Sequence, residues 1–241
     1  MSVYRLGRIA FSLEDASADF LEDLDALLPK YSVESNEKVE SIPAVTDFRS
    51  LQNYIFKRHD GCLWLDAALL ITPQGKNVLI VGKSGAGKST TAMALALAYD
   101  WKIASEDILL IDTLTNKALT FGAPFSLKIG TAALLQKTVN ITPQPILKNE
   151  WFPLGKMVAP WTTDAHFDFS FVFVATNFSA ALNVKEITTG DFLRAVMPVS
   201  NVLRTPGYSD KLLEYISPGR CFDVVNGTLR ERLDLILRLC G

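Results

Sequence analysis

Apolar positions cluster into short, strand-like runs separated by a few stretches with helical spacing. Val3–Phe11 reads as a strand. Leu13–Leu28 starts among acidic residues and is stopped by Pro29, and its spacing predicts an amphipathic helix. Tyr31–Ile42 is polar and closed by Pro43, which fits a strand with a loop, and Phe48–Phe56 is a helix candidate. Two hydrophobic runs follow, Cys62–Thr72 and Asn77–Val81. The segment between them, Pro73-Gln74-Gly75-Lys76, has turn chemistry.

Lys88–Tyr99 is rich in Ala and Leu, contains no Gly or Pro, and is the strongest helix signal in the chain. Short strands are expected at Lys102–Ala104, Ile108–Asp112 and Ala118–Phe121. The proline-interrupted stretch Phe121–Met157 should be irregular, with one helix near Thr131–Leu135. Further strands are predicted at Phe167–Ala175, Ala181–Ile187 and Phe222–Val225. Helices are predicted at Thr189–Met197 and Thr228–Leu239, the second with Leu229, Leu233, Ile236 and Leu239 near one face. Strands and helices do not alternate strictly, so the expected fold class is α/β with a mixed rather than purely parallel sheet. No linker separates the N-terminal part. One domain over 1–241 is therefore expected, with residues 1–60 as an N-terminal α+β lobe and 61–241 as the core and C-terminal helix.

Composition narrows the function. Of 241 residues, 49% are apolar, enough for a sizeable core, and the net charge of −2 comes without massed Lys or Arg. Nucleic-acid binding is therefore not expected. The three cysteines follow no metal-ligand spacing and suggest free or buried thiols. No apolar run is long enough to span a bilayer, and the N-terminus lacks a signal-peptide pattern; the expectation is a cytoplasmic protein with no membrane partner.

The chemistry concentrates after the strand Asn77–Val81. Gly82-Lys83-Ser84-Gly85-Ala86-Gly87-Lys88-Ser89 fits G-x-x-x-x-G-K-[ST], the P-loop or Walker A pattern, at every required position, with Thr90 next. Gly82 lets the chain leave the strand, and Gly85, Ala86 and Gly87 with Ser84 offer backbone N–H groups to phosphate oxygens. The helix at Lys88 adds its positive end. Lys88 can reach the β- and γ-phosphates of ATP, and the Ser89 hydroxyl can ligate Mg²⁺. The bland reading is a glycine-rich turn before an Ala/Leu helix, which requires neither Lys88 nor the full spacing. One helix and one strand later, Glu106-Asp107 places two adjacent carboxylates at the end of a short apolar strand. Such a pair suits metal and proton work, one acid on Mg²⁺ and the other taking a hydroxyl proton. A solvated surface turn is the alternative.

These residues, in the text VLIVGKSGAGKSTTAMALALAYDWKIASEDILLID, resemble the HPr kinase/phosphorylase family, which shares its nucleotide-binding core with ATP-dependent phosphoenolpyruvate carboxykinase. The likeness covers about Leu63–Asp112, and Phe121–Lys128 (FGAPFSLK) is similar to a lysine-terminated stretch of the smaller relatives. The resemblance implies a mixed-sheet P-loop fold of that type and a Mg²⁺-dependent kinase. In it Glu106 is the general base, Asp107 the Mg²⁺ partner with Ser89, and the acceptor is a hydroxyl of a peptide, protein or small molecule. Compact relatives phosphorylate a serine of a peptide natural product or free serine, and the larger ones form homo-oligomers, which leaves that assembly open for this chain. Two departures stand out. Glu106 replaces the family's first Asp with a longer arm, and Asp66 in LWLDAALL takes the place of a histidine many relatives carry. Asp66 is either a catalytic group or a strand-edge carboxylate.

Weaker candidates are Lys128, Lys148 and Lys156 for phosphate or an acidic acceptor, Arg204 and Arg220 beside Pro-Gly pairs, His166 as a strand-start histidine, and Trp151 and Trp161 as pocket walls or ordinary packing. The rival to a kinase is a nucleotide-dependent regulatory module or slow NTPase. A GTPase should carry an Asn-Lys-x-Asp reader, and Asn116-Lys117-Ala118-Leu119 has Leu at the last position.

Overall fold

The computed structural model describes residues 2–28, 30–33, 37–43, 45, 47–115, 117–119, 121, 123–128, 130–144, 151–153, 169–175, 181–216, 220–225 and 227–241. The centre is an eight-stranded mixed sheet in the order β12-β13-β11-β5-β4-β7-β8, with β6 also on β4. In sequence these strands are β4 (Cys62–Ile71), β5 (Asn77–Val81), β6 (Lys102–Ser105), β7 (Ile108–Asp112), β8 (Lys117–Leu119), β11 (Phe171–Ala175), β12 (Asn183–Ile187) and β13 (Arg220–Val225). β11 runs parallel to both β5 and β13, whereas β4 is antiparallel to β5, β6 and β7. The α/β class and the mixed sheet are thus as the patterning predicts.

Side chains alternate along β4 and build two layers. Leu63, Leu65, Ala67 and Leu69 join Leu79, Val81, Leu109 and Ile111 under α5 (Thr189–Val196) and α6 (Tyr208–Ile216). On the other face Ala68 and Leu70 join Val78, Ile80 and Phe173 under α3 (Lys88–Tyr99) and α7 (Leu229–Cys240). Farther along that same face Cys62, with Trp64 partly buried, packs with Leu110 under the N-terminal elements. Those elements are a three-stranded sheet, β1 (Tyr4–Leu6), β2 (Ile9–Leu13) and β3 (Val39–Ile42), with helices α1 (Ala18–Leu27) and α2 (Phe48–Phe56). One face of β4 therefore serves two separate cores, and Asp66 stands between Trp64 and Ala68 at their seam.

A short pair, β9 (Phe125–Ser126) with β10 (Trp151–Phe152), and α4 (Thr131–Val139) complete the described strands and α-helices. Trp151 is buried edge-on against Phe48, with ring centroids 4.9 Å apart, so packing and not a pocket wall explains it. No helix among the described residues is long and apolar enough to cross a membrane. The cysteines are free and buried.

Several boundaries differ from the sequence expectation. Val3–Phe11 is not one strand but a hairpin turning at Gly7-Arg8, with Gly7 at φ 60°. The first helix begins at Ala18, because Leu13 is drawn into β2 and Ser17 caps the helix by accepting from the Phe20 N–H. The helix α6 was not foreseen; its Leu212, Tyr215 and Ile216 are buried, but a turn-rich segment precedes it. Lys148, Lys156, Trp161 and His166 lie outside the described residues.

Candidate functional site

The glycine-rich loop connects β5 to α3. Val81 ends β5 opposite Ala67 of β4, and a Cβ at Gly82 would stand 2.4 Å from the backbone oxygen of Ala175, so only glycine fits where the chain leaves the sheet. The Ala86 N–H donates to Lys83 O at 3.0 Å, closing a turn that holds Ser84 and Gly85. Gly87 is the N-cap of α3 at φ 83°, a left-handed conformation that favours glycine. Having no side chain, it caps none of the first amides of the helix. Lys88, Ser89 and Thr90 carry those amides and line a cavity of about 340 Å³. A first turn without a side-chain cap, facing a cavity, is where an anion is stabilised by helix amides and dipole.

Lys88 folds back over the loop. It is 7% exposed, and its Nζ donates to Gly82 O at 2.8 Å and Lys83 O at 3.3 Å. The same Nζ lies 2.7 Å from Asp66 Oδ1. That approach is an ion pair outside hydrogen-bond geometry, and Oδ1 has no hydrogen-bond partner among the described residues. Asp66 thus lines the same cavity as Lys88.

The acid pair follows the end of the short strand β6 at Ser105 and precedes β7, which begins at Ile108. β6 and β7 follow one edge of β4 in succession, Ser105 opposite Leu69 and Ile108 opposite Asp66. Between them the Ala67 N–H donates to Asp107 O at 3.2 Å. The Ile108 N–H donates back to Glu106 O at 2.7 Å, and Asp107 has φ 64°. This is a γ-turn of the rare, positive-φ kind, a strained conformation held by the pairing on either side. It sits on the sheet row where β5 ends, so both carboxylates face the glycine loop across β4.

Electrostatics follow from that crowding. Glu106 is 3% exposed, and burial, then the neighbouring Asp107, pushes its carboxyl up to about 8. The Ser89 hydroxyl and Lys88 act in the opposite direction. Asp107 is exposed at the cavity, yet it too is raised, by desolvation from the surrounding walls first and then by Asp66, while Lys88, Lys128 and Arg49 hold it back. Among the described residues no set of three or more His, Cys, Asp or Glu is arranged to hold a metal ion by itself.

The opposite wall comes from β9 and the start of α4, with Phe125, Leu127 and Leu134 apolar and Lys128 polar. Lys128 Nζ donates to Ser84 Oγ at 3.1 Å, so this weaker candidate does reach the loop. Arg49, which nothing in the sequence singled out, projects from α2 and donates to Ser126 Oγ at 3.4 Å, with its guanidinium 5.7 Å from the Trp151 ring centre. Arg204 and Arg220 are elsewhere. Arg204 lies over Trp64, and Arg220 pairs with Glu186 through two bonds of 3.0 and 2.9 Å. His59 is buried in the N-terminal part and does not line the cavity.

Fold and site together define a mixed α/β protein in which a glycine loop, a lysine and three carboxylates share one cavity. Compared with known proteins, the chain matches no family model and no curated sequence.

Proposed function

We propose that this chain is a Mg²⁺-dependent phosphotransferase of the HPr kinase-related P-loop type, moving the γ-phosphoryl group of ATP to a hydroxyl of a peptide or protein. The observation that carries the reading is the convergence on one cavity of Lys88, the uncapped start of α3, the buried Glu106 and its exposed neighbour Asp107. A glycine-rich turn alone would bring no carboxylates to the loop.

The donor set fits a nucleotide-bound Mg²⁺. Such an ion keeps several waters and takes only one or two protein ligands beside the phosphates, so it needs no complete protein cage among the described residues. When bound, it neutralises charge on the transferring group. We place Glu106 on the metal side with Ser89, because the Ser89 hydroxyl acts on its carboxylate. We place Asp107 on the acceptor side, because it is the exposed acid of the pair, whereas Glu106 is buried. This exchanges the roles that the family resemblance implies for the two acids. The loop amides and Lys88 hold the phosphates. Asp107 accepts the acceptor hydroxyl's proton as its oxygen bonds to the γ-phosphorus and the bond to the β-phosphate oxygen breaks, releasing ADP.

The test is incubation with Mg²⁺, γ-labelled ATP and host extract, sorting label into proteins, peptides and small molecules. Label in one acceptor class, absent with Lys88→Ala and Asp107→Asn, supports the kinase. Nucleotide binding without transfer would move the assignment to a regulatory module or slow NTPase.

A further inference from the structure

We propose that Arg232 is a positioning residue of the phosphate loop, fixing from the C-terminal helix the peptide that presents the Gly87 N–H to a bound phosphate. This rests on the phosphate-loop reading above.

Arg232 stands on the buried face of α7, between Leu229 and Leu233, and is 2% exposed. Its Nη1 donates to Ala86 O at 2.7 Å. In a trans peptide the carbonyl and the following N–H point in opposite directions. The Ala86 carbonyl and the Gly87 N–H share one peptide, so a carbonyl drawn down to Arg232 sends that N–H the other way, and Gly87 lines the cavity. The glycine makes this peptide easy to rotate, since Gly87 tolerates φ of either sign. A guanidinium bond to the carbonyl removes that freedom before the ligand arrives.

The helix that carries Arg232 is itself anchored. Thr228 and Glu231 form a capping box at its start, and the Arg230 guanidinium donates to Thr138 O in α4, whose first turn lines the same cavity. Burial pushes the Arg232 guanidinium down to about 10, which leaves it charged at neutral pH behind the loop. A charge there favours an anion in front, and a lysine or methionine reproduces only part of the arrangement.

The experiment uses the full chain, ¹⁵N-glycine labelling and Mg²⁺-tripolyphosphate as the probe, with Arg232→Met, Arg232→Lys and, as a control for lost packing, Leu233→Ala. The expected result has two parts. The Gly87 amide resonance of wild type moves on titration, and Arg232→Met binds the probe roughly tenfold more weakly or worse, as loss of a charged hydrogen bond predicts. Leu233→Ala should lose stability and keep its phosphate affinity. Arg232→Lys, which keeps a donor, should recover part of the affinity. A Gly87 resonance unmoved in a wild-type protein that binds the probe overturns the proposal, even if no Arg232 variant folds. So does a folded Arg232→Met with wild-type affinity. If wild type binds neither tripolyphosphate nor ATP, the phosphate-loop reading itself falls and takes this inference with it.

Discussion

Lys88 Nζ sits 2.7 Å from Asp66 Oδ1, so the lysine that should grip phosphate is already paired with a carboxylate from the neighbouring strand. On the function proposed above, the carboxylate holds the charge where an anionic ligand would hold it, and a bound nucleotide would displace it. Asp66→Asn removes that competitor and its repulsion. Nucleotide affinity should tighten roughly fivefold, about 1 kcal/mol, in a calorimetric titration. Weaker binding would show instead that Asp66 orients Lys88 for the ligand.

Glu106 gives a pH signature. Its folded carboxyl, near 8, lies above the ordinary 4.5, so the folded state binds a proton that the unfolded chain releases. The stabilising contribution is complete below about 4.5 and is lost as pH rises through about 8. Glu106→Gln should therefore be more stable than wild type at pH 8, on the order of 2 kcal/mol or more, with the gap closing near pH 5. Thermal melts of both proteins across that range decide it; parallel curves would mean that Glu106 is ionised in the fold.

His59 works in the opposite pH range. It is buried, with Nδ1 3.0 Å from Ile55 O and Nε2 accepting the Arg8 N–H at 3.2 Å, and burial holds its pKa below the usual value. The neutral ring is the folded form, so its contribution is present above about 6.5 and is lost as pH falls below that. His59→Ala should cost about 2 kcal/mol at pH 7.5 and flatten the stability profile below about pH 6.5, read by urea denaturation.

The loop glycines separate space from backbone conformation. Gly82→Ala drives a Cβ to 2.4 Å from a main-chain oxygen, which cannot step aside, whereas Gly85 has open space and only a φ of 89° against it. Gly85→Ala should cost about 1–2 kcal/mol and leave a folded protein. Gly82→Ala should cost more than that and abolish nucleotide binding. Equal melting temperatures for the two variants would contradict the close approach of β11.

Lys128 should matter modestly. Its bond to Ser84 Oγ is exposed, so Lys128→Met should weaken nucleotide binding by about 0.5–1 kcal/mol, an effect that shrinks as salt is raised from 50 to 500 mM. A salt-independent loss would mean that the side chain acts by packing.

The sequence alone was enough to locate the strand Asn77–Val81, the loop that follows and the helix Lys88–Tyr99, because each is set by residues close in the chain: a β-rich run, glycines at fixed spacing, an Ala/Leu stretch. Phe48–Phe56 was legible for the same reason. Only the tertiary structure decided what stands around the loop. Glu106 and Asp107 face it because β6 and β7 share one edge of β4 and break at the row where β5 ends. Asp66 is available because one face of β4 covers two cores and leaves a seam between them. Lys128, Arg49 and Arg232 arrive from the segment after β9, from α2 and from α7, far apart in sequence. Sheet order and layer packing set those distances, and no local spacing encodes them.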